Sequence, residues 1–291
     1  MTRIDAIIKD HQSLSVELWP PRSEEALKKL ENSLSRLKEL DVDFASITYG
    51  AGGTTRDRTH DLVISIKKQQ KMTPMAHLTC AYHTKKELTD ILRRYQDEGI
   101  ENILALRGDP PVGKEADFVG GELPYAKDLV LLAKETGNFC VAVAAHPMGH
   151  PEQKDEDTEI NYLMDKLEVA DLVITQLFFS VEKYKAFLDK LAKRGNDKPV
   201  LPGIMPIKSM RSLETMARLT NQEVPLQIYE KILALGDDQA AIRSFGVDFA
   251  TKMASDLLDI GVPGLHFYTM NETLATIEIC KNLNYHTQVS S

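Results

Sequence analysis

The segment NILALRGDPP (residues 102–111) begins as an apolar run and ends in polar and turn-forming residues. Its apolar residues precede Arg107, Gly108 and Asp109, and two prolines then stop the extended chain because proline lacks a strand's amide donor. This pattern is typical of a buried strand that delivers polar side chains at its carboxyl end. The pattern recurs along the chain, and the recurrence predicts the fold.

Seven further apolar runs share this form. They are LSVELWP (14–20), FASITYG (44–50), MAHLTCA (75–81), VAVAAHP (141–147), LVITQLFF (172–179), VLPGIMP (200–206) and GLHFYTM (264–270). Amphipathic stretches with helical spacing separate many of the runs. Near-continuous apolar strands alternating with helices are typical of a parallel sheet covered by helices.

Several helix ends are marked by capping residues. Ser23, Thr84 and Ser180 are expected N-caps, and glycines at 99 and 195 are expected helix stops. The segment between the seventh and eighth runs is long enough for more than one helix. We expect Asp237 and Asp238 to cap the second of these helices.

The eight repeats predict an α/β protein that closes into a (β/α)8 TIM barrel. One domain is expected over residues 1–291, with residues 1–13 as an N-terminal extension or helix. The competing fold is an open doubly wound sheet. No GxGxxG follows the first strand, and the nearest candidate, at residues 50–55, follows the second strand and lacks the final glycine.

Composition excludes several classes of protein. Of 291 residues, 43% are hydrophobic and 27% charged, and the net charge of -8 argues against nucleic-acid binding. The three cysteines are far apart without a CxxC, which favours buried thiols in a reducing compartment. The N-terminus has no secretory apolar core, and no run reaches about 20 apolar residues. We therefore expect a cytoplasmic protein without a membrane span.

Polar groups accumulate where a barrel carries its active site, at the carboxyl ends of the strands. Unpartnered burial would cost each about 1–3 kcal/mol, so they must bond to one another, to water or to a ligand. Two of these residues have a purely structural alternative. Glu17 then forms an ion pair with Arg22, and Arg107 forms one with Asp109. The expected set is Glu17, Thr48, Tyr49, His77, Thr79, Arg107, Asp109, His146, His150, Gln176, His266 and Tyr268.

The motifs of several chemistries are missing from the sequence. No HxH, HExxH, GxSxG or Walker A motif occurs, so we predict no metal site, serine nucleophile or P-loop. No lysine lies in the eight runs to form a Schiff base. What remains suits proton transfer beside a polar planar ligand, with hydride or electron chemistry left to a cofactor.

At these residues the sequence resembles the methylenetetrahydrofolate reductase family. The matching stretches are SVELWPPR, SITYGAGGTTRDRTH, MAHLTC, NILALRGDPP, VAVAAHPMGHPE, DLVITQLFF, LPGIMPI and GLHFYTMN, in the family's order from about Val16 to Leu283. They cover the catalytic barrel alone, as in the short bacterial members. The resemblance implies the FAD-dependent reduction of 5,10-methylenetetrahydrofolate to 5-methyltetrahydrofolate in one-carbon and methionine metabolism.

By the same resemblance, NADH or NADPH reduces FAD and leaves, and the folate then takes the same face. Glu17 is implied as the general acid that protonates N10 and Asp109 as a catalytic carboxylate near flavin and folate. Gln176 and Tyr268, with Asp109, are implied to bind substrate. The implied FAD-binding residues are Thr48, Tyr49, Ala51, His77, Arg107, Gly108, Asp109, Tyr125, Ala126, His146, His150 and Lys166.

This chain departs from the family's pattern at several positions. The aromatic pair after the glutamate is Leu18-Trp19, and Glu272 replaces an arginine that can hold the folate tail. An aliphatic residue near Ile232 or Leu233 replaces an aromatic that often stacks on nicotinamide and folate. Two other functions remain open: direct hydride transfer without FAD, and a non-catalytic folate- or flavin-binding barrel. The family implies a homo-oligomer, a dimer or a tetramer.

Overall fold

Eight parallel strands close into a barrel in chain order, and β8 pairs with β1. The computed structural model describes residues 2–49, 56–70, 72–108, 120–149, 155–220 and 224–288. The strands are β1 Ser13–Leu18, β2 Phe44–Ile47, β3 Thr73–Thr79, β4 Asn102–Leu106, β5 Cys140–Ala145, β6 Leu172–Leu177, β7 Val200–Ile204 and β8 Gly264–Tyr268. The predicted single-domain (β/α)8 barrel is confirmed, and the open doubly wound sheet is wrong.

Helices surround this barrel. They are α1 Ile4–Asp10, α2 Glu24–Leu37, α3 Arg56–Gln69, α4 Lys85–Asp97, α5 Ala126–Thr136, α6 Glu156–Leu167, α7 Val181–Lys193, α8 Met210–Thr220, α9 Leu226–Ala234, α10 Gln239–Asp259 and α11 Leu274–Asn282. Among the described residues, no helix combines the length and apolar character that a membrane crossing needs.

The expected capping residues are confirmed. Ser23, Thr84 and Ser180 each accept a hydrogen bond from the backbone N–H three residues on. Gly99 and Gly195 follow α4 and α7 with φ of 66° and 86°, a conformation that costs glycine little. These local signals lie within one turn of the helix ends that they determine.

The connection between β7 and β8 was predicted incorrectly in one respect. It holds α8, α9 and α10, and Asp238 caps the third of these helices, not the second. The short α9 begins immediately after Pro225, which can precede a first helical turn because that turn needs no internal donor there.

Apolar side chains fill the barrel and α1 covers its lower end. Phe44, Met75 and Leu104 belong to this interior cluster, together with the fully buried Ile4 of α1. The Ile4 N–H donates to Asn102 Oδ1 (2.8 Å), which attaches α1 to the start of β4. The amino-terminal end of the barrel is therefore closed by side chains.

The C-terminal segment is tied to the same lower end by two histidines. His286 Nδ1 and Nε2 lie 2.8 and 2.7 Å from the carbonyl oxygens of Asp41 and Gln12. His11 Nε2 lies 2.9 Å from Asp43 Oδ1. These contacts hold residues before β1, before β2 and after α11 together, on the side of the barrel opposite the strand ends that carry the polar set.

The three cysteines, Cys80, Cys140 and Cys280, are buried free thiols, as predicted. Burial raises the pKa of each to about 12, so none is a thiolate near neutral pH.

Candidate active site

A cavity of about 480 Å³ opens at the carboxyl ends of the strands, and we call it the mouth cavity. Parallel pairing puts these ends on one face, so side chains far apart in sequence converge there. The predicted site residues that line it are Glu17, Thr48, Tyr49, His77, Arg107, Gly108, Ala126, His146, Lys166, Gln176 and Tyr268.

Four predictions do not fall on the described lining of the mouth cavity. Tyr125 is 67% exposed at the start of α5 and is not part of that lining. Ala51, Asp109 and His150 lie outside the described residues.

Glu17 is a buried carboxylic acid with one close donor. Its side chain is 13% exposed, and Trp19 Nε1–H donates to its Oε1 (3.0 Å). Burial raises the Glu17 pKa to about 7, because water no longer stabilises the carboxylate, while the Trp19 hydrogen bond opposes the rise. The indole of Trp19 therefore favours the charged form of Glu17. The alternative ion pair with Arg22 is not among the ion pairs of the described residues.

His77 is a buried histidine close to Oε2, the second carboxyl oxygen of Glu17. His77 Nε2 lies 3.9 Å from Glu17 Oε2 and has no hydrogen-bond partner in the structure. Burial lowers the pKa of His77 to about 3, so the ring is neutral at physiological pH. His77 lines the mouth cavity, so a ligand or a water molecule can supply the hydrogen-bond partner that this buried nitrogen lacks.

His266 forms the floor of the mouth cavity. Its Nδ1 lies 2.9 Å from Ser15 Oγ and its Nε2 lies 3.5 Å from Ser46 Oγ. The ring stacks on Phe44 at 6.2 Å between centroids. Burial lowers the pKa of His266 to about 3, with a smaller contribution from His77. These contacts make His266 a neutral histidine whose ring nitrogens have partners within the barrel.

Tyr268 is held across the mouth cavity by a bond to another strand. Its hydroxyl donates to the carbonyl oxygen of Thr175 (2.7 Å). Gly203 makes this possible, because a Cβ there would lie 2.3 Å from that oxygen and 2.5 Å from the Tyr268 ring. The Thr175 hydroxyl accepts from the Gly203 N–H (3.0 Å), where the β6–β7 register is irregular. Tyr268 is therefore fixed before any ligand arrives.

Gln176 lies within the same irregular part of β6. Its Oε1 accepts from the Leu177 backbone N–H (2.9 Å), and its side chain lines the mouth cavity. Irregular strand pairing of this kind re-aims a side chain next to many active sites.

Cationic groups come from the segments that follow β4 and β5. Arg107 lines the mouth cavity together with Lys166, whose Nζ donates to the Ala144 carbonyl oxygen (3.0 Å). Burial lowers the Lys166 pKa. Gly108 follows Arg107 with φ of 88°, and a Cβ there would lie 3.0 Å from the Ala81 Cβ and 3.1 Å from the Thr79 Cβ, so this position favours glycine.

Thr48 and Tyr49 come from the end of β2. The Thr48 N–H donates to the Leu18 carbonyl oxygen (3.0 Å), and Thr59 Oγ1 donates to the Thr48 carbonyl oxygen (3.1 Å). Tyr49 Oη lies 3.0 Å from His83 Nε2. These bonds anchor the residues that follow β2.

The structure shows the contacts of Glu272 and the exposure of Ile232 and Leu233, three positions that depart from the family's pattern. Glu272 pairs with Lys29 and, at 3.0 Å, with Lys208. Partial burial opposes the effect, but these two lysines lower the Glu272 pKa. Ile232 is buried on α9, whereas Leu233 is 60% exposed.

Sequence reasoning missed two residues that shape the site. Asn271 Oδ1 accepts from the Trp19 N–H and its Nδ2 donates to the Trp19 carbonyl oxygen, both at 2.9 Å. Thr269 Oγ1 donates to the Glu17 carbonyl oxygen (2.7 Å). The sequence contained one signal for Asn271 and Thr269, which is that both lie within the GLHFYTMN stretch. Their partners, Trp19 and Glu17, are 252 residues away in the chain.

The donor set of the mouth cavity fits a planar, anionic, flavin-type dinucleotide. His77 Nε2 is an unpartnered buried polar atom, Gly108 lines the same cavity, and Arg107 and Lys166 supply cationic groups suited to phosphate.

Comparisons with known proteins identify the family of this chain. A family model described as methylenetetrahydrofolate reductase matches residues 3–284. The 5,10-methylenetetrahydrofolate reductase of Escherichia coli (strain K12) is 37% identical over 279 residues, which are 96% of this chain and 93% of that protein. The protein of the same name from Pectobacterium carotovorum subsp. carotovorum is 36% identical, covering 96% of this chain and 92% of that protein.

A solved structure shares the fold at lower sequence identity. It is described as an uncharacterized protein from Clostridium thermocellum that binds two copies of 5-methyl-5,6,7,8-tetrahydrofolic acid. The TM-score is 0.69 at 17% identity, and the match covers 97% of this chain and 99% of that one.

Proposed function

Because the chain belongs to the methylenetetrahydrofolate reductase family, we propose that it reduces 5,10-methylenetetrahydrofolate with NADH or NADPH through bound FAD. The two reactants take the same place in turn, in a ping-pong sequence. The product is 5-methyltetrahydrofolate. The observation that carries the proposal is the buried Glu17 carboxyl, whose pKa of about 7 keeps a proton available near neutral pH.

Glu17 is the general acid. The five-membered ring of the substrate opens when N10 is protonated, which exposes the one-carbon unit to hydride. A neutral carboxylic acid that lines the mouth cavity can deliver that proton, and it regains one from solvent after each turnover. Overall, the folate gains one hydride and one proton, and the dinucleotide loses one hydride.

The cofactor is held by the cationic side chains and the strand ends. Arg107, Lys166 and His146 suit the diphosphate side, while His77 and the Gly108 backbone suit the flat ring system. FAD, when bound, supplies hydride transfer, which the side chains of this chain cannot supply themselves. The other residues that we propose to contact FAD are Thr48, Tyr49, Ala51, Tyr125, Ala126 and His150.

The folate and nicotinamide contacts come from β6 and β8. Gln176 offers an amide that pairs with the pterin or with nicotinamide, and the fixed Tyr268 ring closes the folate side. Asp109 is proposed beside flavin and folate, where its carboxylate disfavours added negative charge on the cofactor. The reaction belongs to cytoplasmic one-carbon metabolism, in a homo-oligomer.

The test is an anaerobic reaction on purified full-length protein. We expect flavin absorbance that NADH or NADPH bleaches and that methylenetetrahydrofolate restores, with stoichiometric 5-methyltetrahydrofolate. A colourless protein that still oxidises the dinucleotide with folate would indicate direct hydride transfer. A coloured protein without either half-reaction would indicate a binding barrel.

A further inference from the structure

Trp19 and Glu17 form a hydrogen-bonded pair at the end of β1. Two residues apart in extended chain, they lie on the same side of the strand, and the indole N–H reaches Glu17 Oε1 at 3.0 Å. An oxygen that accepts this bond is the carbonyl-type oxygen when the group is protonated. The proton is therefore carried by Oε2.

The geometry around Oε2 agrees with this assignment. Oε2 is the oxygen that faces the unpartnered His77 Nε2, at 3.9 Å across the mouth cavity. This distance is too long for a direct hydrogen bond, and a polar atom of a ligand or water that bonds to both atoms must lie to one side of the line between them. Proton delivery from Oε2 is thus directed into the mouth cavity, away from the indole.

Asn271 holds the peptide unit on which Trp19 depends. Its amide accepts from the Trp19 N–H and donates to the Trp19 carbonyl oxygen, both at 2.9 Å. Asn271 is buried, with φ of 58° that asparagine tolerates better than most residues. Ser33 Oγ donates to the Asn271 carbonyl oxygen (2.7 Å), which fixes this conformation. A side chain that both accepts from and donates to one residue's backbone leaves that residue little freedom.

We propose that Asn271 is a positioning residue that holds Trp19 so that its indole N–H occupies Glu17 Oε1 and leaves the acid proton on Oε2. The catalytic consequence rests on the proposed function, because it requires Glu17 to be the acid of the folate step. The hydrogen-bond arrangement itself does not require it.

Other titratable and charged groups face Glu17 across the mouth cavity. They are His77 from β3, Arg107 after β4, His146 after β5, Lys166 from α6, and His266 and Tyr268 from β8. Tyr49 and Tyr82 add two phenols to the lining. His77 and His266 have pKa values of about 3, and the Tyr268 pKa is raised well above its ordinary value. Because His146 also lines the mouth cavity, the test includes Glu17→Gln as the assignment control.

Trp19 offers a direct probe, because it is the only tryptophan in the chain. Its fluorescence is followed against pH in the full-length protein, with free flavin removed and no folate or dinucleotide present. We expect an inflection near pH 7 that is absent in Glu17→Gln. An inflection retained in Glu17→Gln overturns the pairing.

Asn271→Gly then tests the positioning role. Glycine accepts the left-handed backbone, so only the side-chain grip is lost. The matched control is Asn284→Gly, an exposed residue with φ of 50° in the turn after α11. We expect Asn271→Gly to move the inflection upward by about one pH unit, because the donor that favours the carboxylate is released. Asn284→Gly keeps the wild-type inflection, and an unmoved inflection in folded Asn271→Gly overturns the proposal.

Trp19→Phe gives a second measurement if Asn271→Gly fails to fold. It removes the N–H but keeps an aromatic ring. In the pH–rate profile of the folate half-reaction, the basic limb therefore moves upward by about one pH unit. An unchanged limb overturns the proposal. Absence of any folate reaction in the wild type would refute the proposed function instead, and the fluorescence titration would still decide the arrangement.

Discussion

Replacement of Glu17 by glutamine is expected to stabilise the fold while it removes the proposed acid. The Glu17 pKa of about 7 lies above the ordinary value of 4.5 because the folded protein withdraws the carboxyl from water. A tenfold change in an ionisation constant is worth about 1.4 kcal/mol, so the full rise corresponds to about 3 kcal/mol.

The sign of the effect follows from proton binding. Between pH 4.5 and pH 7 the unfolded chain has already released the Glu17 proton, whereas the folded chain still holds it. The free energy of unfolding therefore falls as pH rises through this range and is level above it. Relative to glutamine, Glu17 costs about 1 kcal/mol at pH 5 and about 3 kcal/mol at pH 8.

The assay is urea unfolding of wild type and Glu17→Gln at both pH values, in the same flavin-loaded state. We expect the variant's midpoint to exceed the wild-type midpoint, and by more at pH 8 than at pH 5. Glu214→Gln, at an exposed position on α8, is the matched control and should change neither midpoint. A difference of equal size at both pH values, or a loss of stability at pH 8, would refute the reasoning.

Three further predictions concern other parts of the molecule. Gly203→Ala forces the new Cβ against the Thr175 carbonyl oxygen and the Tyr268 ring, and should cost about 2–4 kcal/mol in urea unfolding, whereas Gly120→Ala, with open space, should cost little. Lys166→Met should weaken FAD binding about 10–100-fold in a flavin-fluorescence titration, with the fold retained by circular dichroism. His11→Asn should lower thermal stability at pH 6 and not at pH 9.

The pH dependence at His11 has a definite cause. Partial burial opposes protonation, but hydrogen bonds to Asp43 and Asp10 outweigh it and raise the His11 pKa. The stabilisation is complete below the ordinary pKa of 6.5 and is lost as pH rises through the higher folded value. Because the His11 side chain is 41% exposed, the expected contribution is below about 1 kcal/mol. Equal destabilisation at pH 6 and pH 9 would contradict this explanation.

The barrel was predictable because its signals are local. Each strand is a short apolar run, and caps such as Ser23 and Thr84 lie within one turn of the helices they start. The sequence did not separate three helices after β7, because α9 has only nine residues and is hard to distinguish from its neighbours by apolar spacing. Parallel closure then placed Glu17 and Gln176 at one mouth.

The contacts that tune the site were not predictable in the same way. The Asn271 grip on Trp19 and the Gly203 space for Tyr268 join segments that are distant in sequence, and they depend on sub-ångström packing. Trp19 also shows why the sequence alone is insufficient near Glu17. Tryptophan counts as an apolar residue, although its indole N–H is a hydrogen-bond donor. Asp109 remains a prediction from resemblance.

The most direct measurement of the central claim separates the two half-reactions of Glu17→Gln by anaerobic stopped-flow absorbance. If Glu17 supplies the proton to N10, flavin reduction by NADH or NADPH keeps nearly its wild-type rate. Reoxidation by methylenetetrahydrofolate falls by at least about 100-fold, within the range for loss of a general acid. A variant that reoxidises at the wild-type rate, with flavin bound, would contradict the account.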